Sequence, residues 1–381
     1  MQKTLNKTKI QQAIEKAGLT QTAIADALEV SKEAVSQWLN EKSFPRPNKL
    51  LQLGKLLNLG FDELVIKEDP FEPKVAFRKK AGTITKNHHI GKAQEIGRFL
   101  RQLAPYVPFD TLEMPPVLKS PSCDYDYLRK VTAKVRKDIK LGPTDIVDFN
   151  HLIRRFFDLQ AVVVPVLWGS KQRHENAVHI FLPDSKSTWV YLNLDTNVHD
   201  FKFWMAHELG HCLSPSLEGN EAEDFADAFA ACLLYPHELA ESAYLSISSQ
   251  PTTAARINHV LSLADQMTIS PYTIVGQVNK YARANGKVEI QMSKKTFPGA
   301  VTNFNKRFHN LSEVLFGDTE LDDHGKPSAR EYIAKAEDVF ETPFFDLLRK
   351  YLKENAKGPG FVQTVLDMPL LDSRSIHAEL T

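Results

Sequence analysis

The pentapeptide His207-Glu208-Leu209-Gly210-His211 restricts this 381-residue chain more than any other stretch. On a helix, positions four apart share a face, so both imidazoles can reach one divalent cation. Glu208 projects beside them, placed to exchange protons with water rather than to take a coordination position. The flanks supply the helix that this spacing demands: Phe201, Trp204 and Met205 anchor it, with Asp200 as the expected N-cap. Gly210 costs helical stability, so its presence implies that another element comes close at that turn.

Two imidazoles are half a site. A second stretch of helix formers follows over 221–231 and ends by Pro236. Phe225, Phe229 and Leu233 form its buried stripe, while Glu223 and Asp227 sit one turn apart on another face. Glu223 is the expected third ligand, leaving a fourth position for water. Asp227 is placed to accept the second N–H of a ligating histidine and so fix its tautomer. Glu221 is the alternative ligand, although no carboxylate lies four residues beyond it. Residues 207–241 hold eight Asp or Glu and no Lys or Arg, a cluster that a divalent cation would relieve. The competing reading is an ordinary amphipathic helix pair with solvated carboxylates.

With Ala226, Phe229, Ala230, Ala231, Leu233, Leu234 and Pro236 in phase, the two stretches together resemble the ImmA/IrrE family of zinc metallo-endopeptidases, which cleave repressors. The resemblance covers roughly 125–285. It implies one Zn2+ per chain on His207, His211 and Glu223, with Glu208 as the catalytic glutamate. Manganese or cobalt would also suit these donors. Tyr235 departs from the family, which usually shows Met there. Upstream, a helix is expected over 127–140, with strands at Ala177–Leu182 and 188–194. The strand over 189–194 is the expected edge for an extended substrate.

A second legible unit opens the chain. Ile10, Ala13, Ile14 and Ala17 fall at helical spacing before Gly18. Thr20 caps a helix that runs to Leu28, and Ser31 caps another over 32–40. In that third helix Val35, Trp38 and Leu39 face inward while Lys32, Glu33, Ser36 and Gln37 face out. Leucines at 50, 53, 56 and 57 mark a fourth helix and residues 61–64 a fifth. Short helices joined by a tight turn suit a helix-turn-helix that lays one helix in the major groove. The stretch resembles the Cro/lambda-repressor (XRE) class. That resemblance implies that Gln21 meets phosphate, that Lys32, Glu33, Ser36 and Gln37 address base edges, and that Lys42 and Arg46 approach the backbone. Glu41 stands where the class often has Gly.

Formal net charge is zero, so no global field attracts a polyanion. Residues 67–140 nonetheless carry sixteen Lys or Arg against nine Asp or Glu, including Arg78-Lys79-Lys80. Three unrelated cysteines (Cys123, Cys212, Cys232) argue for a reducing cytoplasm, and the two on the metal helices read as small buried hydrophobes. No apolar run reaches membrane-spanning length, so no membrane association is expected. His179, inside a strand, reads as packed, and His237 as adjacent to the cleft.

The expected fold is multi-domain and α+β. An all-α, five-helix head (1–66) precedes a basic, proline-containing linker (67–124). A zincin-like metallopeptidase domain with a small sheet (125–285) and a mostly helical C-terminal extension (286–381) follow. The expected function is a cytoplasmic DNA-binding transcriptional regulator with a zinc-dependent endopeptidase domain. Its partners are a DNA operator and a protein substrate, either a repressor or the chain itself, cut in a stress, phage or mobile-element response. Operator symmetry implies a homodimer. Two alternatives stand beside it: a repressor whose zinc domain is a non-catalytic sensor or docking module, and an antitoxin-type regulator whose partner binds the tail.

Overall fold

The computed structural model describes residues 2–40, 42–68, 71–76, 87–108, 117–169, 176–321 and 325–381. They divide into two compact units, Met1–Glu72 and Pro73–Thr381.

The first unit runs β1 (Gln2–Leu5), α1 (Lys7–Ala17), α2 (Gln21–Ala27), α3 (Lys32–Leu39), α4 (Pro47–Leu57), α5 (Phe61–Leu64) and β2 (Val65–Glu68). Asn6, Thr20 and Ser31 cap the first three helices, each side chain accepting from a backbone N–H three residues on. Ile10, Ile24, Leu28, Val35, Trp38, Leu50 and Leu53 meet in its core. The helices follow the sequence reading. The antiparallel ribbon β1–β2, with Leu5 opposite Val65, was not expected from the sequence. Strands of four residues carry too short an alternation to stand out.

The second unit opens with β3 (Lys74–Ala76), α6 (Asn87–Leu100), α7 (Tyr125–Asp138) and α8 (Phe149–Asp158). β4 (Ala161–Val166), β5 (Ala177–Leu182) and β6 (Ser187–Asn193) complete a sheet. α9 (Val198–Leu213), α10 (Gly219–Leu234), α11 (His237–Ser248), α12 (Thr253–Met267) and α13 (Pro271–Ala284) follow. Then come α14 (Phe297–Asn305), α15 (Leu311–Phe316), α16 (Ala329–Phe340), α17 (Phe344–Asn355), α18 (Pro359–Leu366) and α19 (Leu370–Leu380). Among the described residues the whole is mixed α+β and mostly helical, with one four-stranded sheet and a two-stranded ribbon.

Strand order in the sheet is β3-β5-β6-β4, with β4 parallel to β6 and the other neighbours antiparallel. Every residue of β4 and β6 is buried, as expected for strands covered on both faces. This order corrects one expectation. The strand over 189–194 is interior, hydrogen-bonded to β5 on one side and β4 on the other, so its backbone cannot accept a substrate strand. The edges are β3 and β4.

The expected linker and extension are also redrawn. Residues 74–76 form the edge strand β3, and α6 packs on β3 and β5. The tail belongs to the core: α16 and α17 pack on β4, and four side-chain hydrogen bonds fasten the tail to strand residues and Trp168. Tyr332 donates to Pro165 O at 2.5 Å and Thr342 to Val163 O at 2.5 Å. Trp168 Nε1 donates to Leu366 O and Tyr191 to Val365 O, both at 2.8 Å. A small sheet with apolar residues on both faces must be covered twice, and α16–α19 help to provide that cover. The basic run 78–80, Glu41 and the prolines at 70, 115 and 116 lie outside the described residues. No helix among the described residues is long and apolar enough to cross a membrane.

Candidate functional site

The helix that carries the two histidines, α9, begins where tertiary contacts hold its first turn. Asn197, not Asp200, is the N-cap of α9: its Oδ1 accepts from His199 N–H at 3.4 Å. Its Nδ2 donates to Phe308 O at 3.0 Å and Asn305 O at 3.3 Å. Asp200 falls in the first turn, where a carboxylate favours the positive end of the helix. From Phe201 to Leu213 only Phe203 escapes full burial, so the helix runs through the core rather than along its surface. Even Lys202 is buried; its ammonium donates to Met267 O, and burial lowers its pKa to about 8.

α9 and α10 pack at Gly210. A Cβ there would meet Ala226 Cα at 3.0 Å, Ala226 Cβ at 3.3 Å and Phe229 Cδ1 at 3.3 Å. The glycine thus admits the backbone of α10 and brings Glu223 and Asp227 up to the histidines. His207 Nε2 and His211 Nε2 lie 3.0 Å apart. Glu223 Oε2 is 3.5 Å from His207 Nε2, and its Oε1 is 3.4 Å from His211 Nε2. Ligands about 2.0–2.1 Å from a tetrahedral zinc stand about 3.3 Å from one another, so these separations match a shared coordination sphere. Among the described residues this is the one group of His, Cys, Asp and Glu with such spacing.

Second partners and orphaned atoms agree with the spacing. Asp227 Oδ1 lies 2.9 Å from His207 Nδ1 and accepts a hydrogen bond from its N–H, which turns the lone pair of Nε2 toward Glu223 and His211. Glu208 Oε2 and His179 Nε2 are buried without a hydrogen-bond partner among the described residues. Buried polar atoms left bare cost free energy that a cation and water would recover. The donor set therefore fits Zn2+.

Burial and charge set the protonation of the metal-free site. Burial pushes the Glu208 carboxyl up to about 8, with His207 pulling it down and Glu223 adding to the rise. Burial lowers His207, but hydrogen bonds to Asp227 and Glu223 outweigh it and carry the imidazole up to about 9. His211 is held below its usual value by burial. Burial raises Glu223, yet its hydrogen bonds to His207 and His211 leave it below the ordinary carboxylate range. His179 is driven down to about 3, first by burial and then by His211.

On the first unit, Lys32, Glu33 and Gln37 are exposed along α3 while Val35, Trp38 and Leu39 are buried. Ser36 is only half-exposed and accepts from Asn40 Nδ2 at 3.3 Å, so it serves the end of its own helix. Gln37 Oε1 accepts from Ser43 at 3.4 Å. Gln21 opens α2, and Lys42 and Arg46 flank the approach to α4; all three are exposed.

Residues 10–64 match the helix-turn-helix family model. The match supports a DNA-binding regulator and the XRE part of the resemblance. It covers the head alone and says nothing of the second unit. No curated protein and no solved structure matches the chain.

The remaining expected residues fall plainly. Glu221 is exposed and takes no part in the three-donor group. Cys212 and Cys232 are buried outside it, with Cys232 Sγ 3.2 Å from Thr132 Oγ1. Tyr235 is buried at the end of α10. The His237 imidazole bonds through Nδ1 to the Tyr125 hydroxyl at 2.7 Å and packs against Tyr281, a structural network. His179 is the residue that sequence reasoning passed over. Its ring lies 5.7 Å from that of His211, centroid to centroid, because β5 packs on α9. A lone histidine in an apolar strand gave no signal of that neighbour.

Proposed function

We propose that the chain is a DNA-binding regulator whose second unit is a zinc-dependent endopeptidase that cuts a repressor, another regulatory protein or the chain itself. The observation that carries this reading is Glu208. A buried carboxyl with a bare oxygen beside three convergent donors is costly for a purely structural site and useful for moving protons. His207, His211 and Glu223 would hold the ion, and Asp227 would orient His207. Zinc bound there supplies a Lewis acid that acidifies water and polarises a carbonyl. Glu208 takes the proton of the attacking water on its carboxylate and returns it to the leaving amine. Through its head, as a homodimer, the chain addresses an operator with Lys32, Glu33 and Gln37 at base edges and Gln21, Lys42 and Arg46 at phosphates.

One observation favours a second reading, a repressor whose metal site senses or docks without turnover. All four residues at the centre are nearly sealed, with Glu223 the most exposed at 8%. The two readings separate in one experiment. Purified protein is incubated with repressors encoded beside it, with and without chelator, alongside Glu208→Gln. The endopeptidase reading requires chelator-sensitive cleavage by the wild type and none by Glu208→Gln at full zinc content. Cleavage by that variant at the wild-type rate would refute the role of Glu208, and zinc-loaded wild type that cuts none would favour the sensor.

A further inference from the structure

We infer that His179 holds the oxyanion of the reaction: its Nε2–H meets the carbonyl oxygen of the scissile peptide as that oxygen gains negative charge. The inference rests on the endopeptidase reading and names a residue for it.

His179 lies in β5, paired with Val190 of β6 and Ala76 of β3, on the strand that packs against the metal helix. Its side chain is 6% exposed. Its ring centroid lies 5.7 Å from that of His211, yet its nitrogens stand outside the three-donor group. It is thus outside the donor group and in contact with one of its members. Nε2 is buried with no hydrogen-bond partner among the described residues.

The chemistry of the neighbours leaves one vacancy. Glu223, as a ligand, offers acceptors only, and the proton that Glu208 has taken from water is committed to the leaving amine. His207 and His211 direct Nε2 toward each other and toward Glu223, and so toward the ion. A tetrahedral intermediate needs a donor aimed at its developing charge, and such donors act most strongly where water is excluded. Of these five side chains, His179 is the one with a bare atom and a donor not otherwise committed. The step is a hydrogen bond alone: the proton stays on Nε2, and no bond of the protein forms or breaks.

The test uses full-length protein loaded with Co2+, whose visible absorption reports ligands at the metal, and inorganic phosphate as a tetrahedral oxyanion. His179→Phe fills the space without a donor, and His179→Gln restores one. Both variants should bind Co2+ in chelator competition as the wild type does. Phosphate should bind His179→Phe about 10- to 100-fold more weakly, the worth of a hydrogen bond to a charged group, with His179→Gln recovering part of the loss. Glu208→Gln should bind phosphate at least as well as the wild type, since a negative charge is removed. Equal phosphate affinity in His179→Phe and wild type would overturn the inference while leaving the metal site intact. A parallel loss of Co2+ affinity would also overturn it, making His179 a ligand. Wild-type protein that takes up no Co2+ would remove the endopeptidase reading itself, a result distinguishable from the other two.

Discussion

Gly210→Ala is the sharpest test of how the metal centre is assembled. In an exposed helix interior the substitution would stabilise by about 1 kcal/mol, because alanine loses less backbone entropy. At Gly210 the new methyl would stand 3.0 Å from Ala226 Cα and 3.3 Å from both Ala226 Cβ and Phe229 Cδ1. The nearest of these atoms is backbone, so relief requires α10 to move away by a few tenths of an ångström. Overpacking of this kind costs about 1–3 kcal/mol. The repulsive effect therefore wins or cancels, for a net destabilisation of about 0–2 kcal/mol. A second consequence is specific to the site. Glu223 and Asp227 ride on α10, so the same displacement loosens the 3.4 and 3.5 Å separations and the 2.9 Å contact with His207 Nδ1. Disturbing such supports lowers metal affinity by about tenfold or more. Urea unfolding of chelated protein, followed by circular dichroism, reads the first quantity, and zinc competition against a chromophoric chelator reads the second. A variant about 1 kcal/mol more stable than the wild type, with unchanged zinc affinity, would refute the close approach of the two helices.

Asp227→Asn should retain the fold but lower zinc affinity about 10- to 100-fold, measured by the same competition, because an amide lacks the carboxylate's charge and can also turn a donor toward Nδ1, so the tautomer of His207 is no longer fixed. In chelated protein, folding raises the His207 imidazole to about 9, so the folded state holds an extra proton between roughly pH 6.5 and 9. The stability it contributes is complete below about 6.5 and fades as pH climbs through 9, which thermal unfolding of chelated protein should show. Zinc must displace that proton, so apparent affinity should rise about tenfold per pH unit between roughly pH 7 and 9, and a flat profile would count against His207 as a protonated ligand. On the head, Arg46→Ala should reduce the slope of log affinity against log salt by about one for any duplex, whereas Gln37→Ala should relax preference at single base pairs; gel-shift titrations separate the two.

Much of the centre was legible because its signals are local. Residues four apart share a helical face whatever surrounds them, so His207 with His211 and Glu223 with Asp227 declared themselves as pairs. The caps Thr20 and Ser31, three residues before the N–H groups they accept, were legible for the same reason. Gly210 signalled a close approach, and Ala226 is what approaches. Misreadings came where distant segments compete. Asp200 looked like a cap until residues 305–308 secured Asn197 instead. The strand at 189–194 looked like an edge until β4 arrived by a parallel crossing. The stretches at 74–100 and 329–380 looked like a linker and an appendage because their apolar faces do not say which surface they cover.

What the chain determines by itself is the set of donors and the faces that carry them, since helix periodicity and capping act over a single turn. Only the tertiary structure decided that Glu223 rather than Glu221 closes the triangle, that Glu208 is buried, and that His179 stands behind His211. Those outcomes depend on which helix rests against which helix or strand, a choice made by packing between separate elements that no local pattern records.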